Sequence, residues 1–181
     1  LGQSFRDFMK GKLPALPGEL PALSDWADHL TTIFPEARLK KFIEMRGADA
    51  GQWHRLCALP AFWVGICYDQ GSLDAAWDIV KSWDKNDREN LRIAAAEDGL
   101  NGSVGSIRLI DLAKEAIRIS ENGLKKRAQA SSNGLYTDES LFLDSLKENI
   151  EKRKSSADDL LEKYHGSWNR DLTKIFEEYS Y

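Results

Sequence analysis

The sequence predicts an α+β chain that is mostly helical and carries one or a few strands. Three observations predict it. All five prolines, Pro14, Pro17, Pro21, Pro35 and Pro60, fall in the first third of the 181 residues. One segment, Arg38 to Arg46, alternates with a period of two. Beyond residue 70, capping residues recur ahead of apolar positions at helical spacing. The chain divides accordingly into residues 1–69, with a loop, helix, strand and kinked helix, and residues 70–181, a helical region.

Gly11 to Ala22 reads GKLPALPGELPA, which excludes a helix interior because each proline removes a donor and restricts the residue before it. Leu13, Leu16, Leu20 and Leu23 predict an ordered loop that packs down rather than a floppy linker. Ser24 as cap, with Asp25 and Asp28 at the positive end of the dipole, predicts a helix to about Phe34, ended by Pro35. Arg38 to Arg46, RLKKFIEMR, predicts a strand with Leu39, Lys41, Ile43 and Met45 on one side and Lys40, Phe42, Glu44 and Arg46 on the other. Gly47 follows, where the strand leaves the sheet or where backbone comes close to another group. Trp53 to Tyr68 predicts a helix kinked or broken at Pro60.

Ser72 ahead of Leu73, Ala76, Trp77 and Val80, and Asp84 ahead of Leu91, predict the next two helices. Ile107, Ile110, Ala113, Ile117 and Leu124 form one amphipathic stripe, with a weak point at Asn122-Gly123. Lys125 to Gly134 reads as a surface loop, its basic Lys125, Lys126 and Arg127 as a solvated helix end. Thr137 and Ser155 open two further helices, the second with Asp158 in a capping box, and a short helix ends at Tyr181.

The net charge of -4, with lysine and arginine spread along the chain, leaves no electrostatic footprint for nucleic acid. The longest apolar run, Ala58 to Tyr68, falls short of the roughly 20 residues that span a bilayer, so no membrane segment is expected. Two cysteines and no readable export signal point to a reducing compartment and a cytoplasmic protein. The start at Leu1 without methionine suggests a chain that begins inside something longer.

No Walker loop, GxGxxG, HExxH, GxSxG or CxxC pair occurs. His29, His54 and His165 lack a second histidine at ligand spacing, which argues against zinc and makes all three structural or surface residues. Trp53, Phe62 and Trp63 read as core before they read as a pocket, and Cys57 and Cys67 as small buried hydrophobes. The pair that stands out is Glu44 and Arg46, two residues apart on a strand and therefore aimed at one face. One reading is an inert ion pair on a solvated surface. The other is chemical: phosphoryl transfer needs carboxylates to hold divalent cations and a guanidinium to meet phosphate oxygens.

Three blocks, FRDFMKGKLPALPGELP, DWADHLTTIFPEARLKKFIEMRGAD and WHRLCALPAFWVGICYD, resemble plant-type glutamate-cysteine ligase, and the likeness extends through YHGSW and IFEEYSY. The resemblance covers the chain as that enzyme's C-terminal portion and implies a glutamine-synthetase-like catalytic sheet whose earlier strands lie upstream. It implies L-glutamate, L-cysteine and ATP as substrates, magnesium as cofactor, and a glutamyl phosphate intermediate. It assigns Glu44 as metal ligand and Arg46 as the catalytic residue facing phosphate or substrate oxygens. It implies too that the upstream part of the same enzyme is a partner and that the isolated chain is inactive. Cys57 stands at a position that plant members use in a disulfide, while Ala15 replaces a second, so a bacterial-style enzyme without that thiol switch is expected.

A second ligase of the same superfamily, acting on another amine, fits the same residues. A helical interaction module fits the stripe from Ile107 to Leu124 but leaves the lone strand unexplained, because one strand cannot satisfy its own backbone groups. That strand argues for sheet partners outside the chain.

Overall fold

The computed structural model describes residues 3–49, 51–128 and 138–179 and is mostly helical, with two small antiparallel sheets. The chain forms two compact units, Leu1–Asp49 and Ala50–Tyr181.

The first unit holds α1 (Phe5–Phe8), α2 (Leu23–Thr31), β1 (Ala37–Leu39) and β2 (Ile43–Met45). Phe5 ties α1 to α2, stacking on His29 at 4.4 Å and meeting Trp26 at 5.3 Å between ring centroids. The segment between these helices closes with a bond from Gly18 N-H to the Gly11 carbonyl at 2.9 Å, yet Leu16, Leu20 and Leu23 remain exposed instead of packing down. Helix α2 starts one residue before Ser24, which therefore lies in its first turn; Asp25 takes up the capping work by accepting from Ala22 N-H at 2.7 Å. The helix ends at Thr31, ahead of Pro35.

Where the period of two predicts one strand, the chain makes a hairpin. β1 and β2 pair with Ala37 opposite Met45, Arg38 opposite Glu44 and Leu39 opposite Ile43. Arg46 N-H extends the ladder by donating to the Glu36 carbonyl at 2.8 Å. Residues 40–42 turn the chain back on itself, so the strand's donors and acceptors find a partner inside the chain. Gly47 brings backbone against the Glu36 carboxylate, where a side chain would collide.

The second unit holds α3 (Trp53–Cys67), α4 (Gln70–Val80), α5 (Lys85–Asp98), β3 (Ser103–Val104), β4 (Ile107–Arg108), α6 (Leu109–Arg127), α7 (Asp144–Lys152), α8 (Ser156–His165) and α9 (Lys174–Glu178). Ala61, Ile117, Leu124 and Leu143 are its buried centre, flanked by Phe62, Val64, Phe142, Leu146 and Ile150. Helix α3 runs through Pro60 without a break and packs on α6 within this unit, whereas the sequence division at 69/70 grouped it with the residues before. The two helices cross at glycine: an added Cβ on Gly65 would meet the Ser120 carbonyl carbon at 2.8 Å, and one on Gly123 would meet Ser72 Oγ at 2.9 Å. Ser120 Oγ donates to the Phe62 carbonyl at 2.9 Å, and Ser72 Oγ to the Ile119 carbonyl at 3.2 Å. Gly123, expected as a weak point, is thus a closely packed position.

Asp84 and Ser155 cap α5 and α8 in capping boxes with Asp87 and Asp158. For α4 the cap is Asp69 rather than Ser72. Its carboxylate accepts from Ser72 N-H at 2.8 Å and from Lys126 Nζ at 3.0 Å, which joins the start of α4 to the last turn of α6. The basic run is the last turn of α6, the helix end expected of it; residues 129–137, with the rest of the expected loop and Thr137, and Tyr181 lie outside the described residues.

The Lys126 and Ser72 bonds hold the Asp69 carboxyl below its ordinary value of 3.8. A lowered folded pKa gives stabilisation that is present above the unfolded value and is lost as pH falls through the folded one. Asp69→Asn is expected to flatten the acid side of a Tm-versus-pH curve below about pH 4, measured by calorimetry. An unchanged acid limb would assign that sensitivity to other carboxylates.

Candidate functional site

Because β1 and β2 are in register, Glu44 lies directly across from Arg38 and their side chains share a face. Arg38 grips Glu44 Oε2 with Nε and a terminal nitrogen, both at 2.7 Å. Lys40 Nζ and an Arg46 terminal nitrogen approach the same oxygen at 3.7 Å each. Three cations thus surround one carboxylate, and all of them address Oε2. The Arg38 hydrogen bond outweighs desolvation, the next largest effect, and with the weaker pull of the Arg38, Lys40 and Arg46 charges it keeps the Glu44 carboxyl below its ordinary value of 4.5. The carboxylate is ionised at neutral pH, and the cluster as a whole keeps an excess of positive charge.

Arg46 also lies over the Phe34 ring, 5.4 Å from its centroid, which leaves its planar fork backed by an aromatic face. The structure brings Glu44 and Arg46 together, as the period of two predicts, and adds two neighbours that spacing along one strand did not single out. Arg38 and Lys40 share the even-numbered parity of Glu44 and Arg46, so the signal was present in the sequence. Recognising Arg38 as the direct partner required the three-residue turn.

Magnesium takes oxygen ligands in near-octahedral order, commonly one or two carboxylates together with substrate phosphates and water. Among the described residues no group of three histidine, cysteine or acidic side chains is arranged to hold a metal ion. Glu44 is the carboxylate that the hairpin cluster offers such an ion.

Other candidates recede. Trp53 is exposed, not core, and so is Cys67; Phe62 and Trp63 are half-buried and meet edge to face at 5.2 Å. Lys125, Lys126 and Arg127 are each paired, with Glu121, Asp69 and Glu139. An open groove beside the Lys152 to Lys154 run is lined by Asp158, Glu162 and His165, but Lys152 is paired with Glu148 and Lys154 with Glu162. Among the described residues no helix is long and apolar enough to cross a membrane.

The model of glutamate-cysteine ligase family 2 matches residues 6–178. The chain is 46% identical over 180 residues to a chloroplastic glutamate-cysteine ligase of Solanum lycopersicum, covering 99% of this chain and 33% of the relative. It is 44% identical over 180 residues to that of Arabidopsis thaliana, again with 99% and 33% covered. A chloroplastic glutamate-cysteine ligase A of Oryza sativa subsp. japonica is 46% identical over 180 residues, with 99% and 35% covered. The chain thus spans about a third of the length of these curated relatives. Their names overturn the cytoplasmic expectation: a low cysteine count speaks to redox conditions and does not identify a compartment.

Proposed function

The chain belongs to glutamate-cysteine ligase family 2, and from that premise we propose that it is part of an ATP-dependent ligase that joins L-glutamate to L-cysteine, the first step of glutathione synthesis. In this reading the γ-phosphoryl group of ATP passes to the side-chain carboxylate of glutamate and ADP leaves. The cysteine amine then attacks the acyl carbon, phosphate departs, and the amine gives up a proton to form γ-glutamylcysteine. A bound magnesium ion would offset phosphate charge, held in part by Glu44 and in part by carboxylates supplied by the rest of the protein on a glutamine-synthetase-like sheet.

The observation that carries the proposal is the cluster of Arg38, Lys40 and Arg46 around Glu44. Phosphoryl transfer is catalysed chiefly by positioning and by charge placed where the transferred group develops it. Arg46 presents a bidentate fork to phosphate oxygens, and Phe34 beneath it limits the directions that fork adopts. Arg38 acts through Glu44 as a positioning residue, fixing one carboxylate oxygen.

The test uses a full-length protein containing this chain, given glutamate labelled with heavy oxygen in its side-chain carboxylate. Formation of γ-glutamylcysteine, dependent on ATP and cysteine, with one label appearing in inorganic phosphate, is expected. The 181-residue chain alone is expected to show no turnover. A full-length protein that makes no γ-glutamylcysteine, or makes it without moving label to phosphate, overturns the assignment.

A further inference from the structure

The β1–β2 hairpin is amphipathic, and its two faces are exposed in the reverse of the usual order. Residues directly opposite each other share a face, so Leu39 and Ile43 stand together, with Ala37 and Met45 beside them. The paired residues of that face carry no charge, and Lys41 of the same parity lies in the turn. Leu39 is 82% exposed and Ile43 68% exposed, whereas the side chains of Arg38 and Glu44 on the polar face are only 31% and 33% exposed.

A two-stranded ribbon is marginal in water unless something packs on its apolar side. None of the described residues of the first unit is buried, so the unit offers the hairpin no core of its own. The chain accounts for only about a third of its relatives' length, which leaves ample polypeptide in a longer family member to supply the missing layer. Uncharged paired residues gain from apolar contact and give a charged partner nothing to pair with.

We propose that the Leu39–Ile43 face of the hairpin is a docking surface for an apolar face of the part of the longer family protein that this chain does not span. This rests on the family reading above. Its consequence is mechanical: once that layer is seated, the register holding Arg38 against Glu44 is braced from behind, so the docked segment fixes the phosphate-facing side without touching it.

Leu39→Cys and Ile43→Cys, with Lys41→Cys in the turn as control, would be labelled by a thiol reagent and resolved by peptide mass spectrometry, in the 181-residue chain and in a full-length protein containing it. In the short chain all three are expected to react at similar rates. In the full-length protein the first two are expected to slow by roughly 100-fold while the control stays fast, because labelling would then wait on local opening. Hydroxyl-radical footprinting of Leu39 and Ile43 in the unsubstituted proteins gives the same comparison without any risk to folding. Equal reactivity in both proteins overturns the proposal, as does protection in the short chain that grows with its concentration, which would identify a second copy as the occupant. Protection in a full-length protein without ligase turnover would retain the docking surface and sink the ligase reading; turnover without protection would do the reverse.

Discussion

Glu44→Ala in a full-length enzyme is expected to lower turnover by roughly 100-fold or more, the range seen when one preorganised electrostatic group is removed from a reacting site. Two effects act together. The substitution deletes the carboxylate proposed as a magnesium ligand, and it leaves Arg38, Lys40 and Arg46 without the charge they converge on, so that their mutual repulsion spreads the cluster. Glu44→Gln separates the two, because it keeps the shape and an oxygen for Arg38 but loses the negative charge. If Glu44 is a metal ligand, the Gln variant needs more magnesium for half-maximal rate. If Glu44 only positions arginines, the Gln variant regains much of the lost turnover at unchanged magnesium demand. Arg46→Ala is expected to reduce kcat and kcat/KM together, and Arg46→Lys to recover little, since a point charge does not replace a planar fork. Normal kinetics in folded Glu44→Ala and Arg46→Ala proteins would reduce the cluster to a surface ion pair.

The largest expected loss of stability lies at the α3–α6 crossing. Alanine is intrinsically better than glycine inside a helix by about 1 kcal/mol, so at an open position Gly123→Ala would stabilise α6. Here its Cβ would sit 2.8 Å from the Gly65 carbonyl carbon and 2.9 Å from Ser72 Oγ, and even closer to the Gly65 oxygen. Backbone on the facing helix cannot step aside as a flexible side chain does. The overpacking cost should exceed the propensity gain, with a net loss of about 3 kcal/mol and a fall in Tm of roughly 6–12 °C. Thermal and urea unfolding of the 181-residue chain provide the measurement. Gly71→Ala is the control: its Cβ would meet the mobile end of Lys126 at 3.1 Å, and a change within about 0.5 kcal/mol is expected. A neutral Gly123→Ala would mean that the helices lie farther apart than described.

Much of the helical region was legible because its signals are local. Asp84 and Ser155 cap the helices they precede, and Ile110, Ile117 and Leu124 line the buried side of α6, since capping and periodicity involve only residues a turn apart. Errors arose where two local solutions compete. Asp69 and Ser72 both suit a cap, and the helix begins at the earlier one because Asp69 also binds Lys126, 57 residues away. Leu16, Leu20 and Leu23 suggested a loop packed onto a surface, yet the described residues leave them exposed.

The sequence by itself determined which groups have a shared parity around Glu44 and Arg46, and its three N-terminal blocks carried the family likeness that residues 6–178 bear out. Alternation fixes which face a side chain takes, because successive residues of extended chain point opposite ways whatever they pair with. Alternation says nothing about where extended chain reverses. Only the tertiary structure decided that residues 40–42 turn, that Arg38 and not Arg46 is the close partner of Glu44, and that glycines meet where α3 crosses α6. Those outcomes depend on pairing and packing between residues distant in sequence, and no property of either partner alone encodes them.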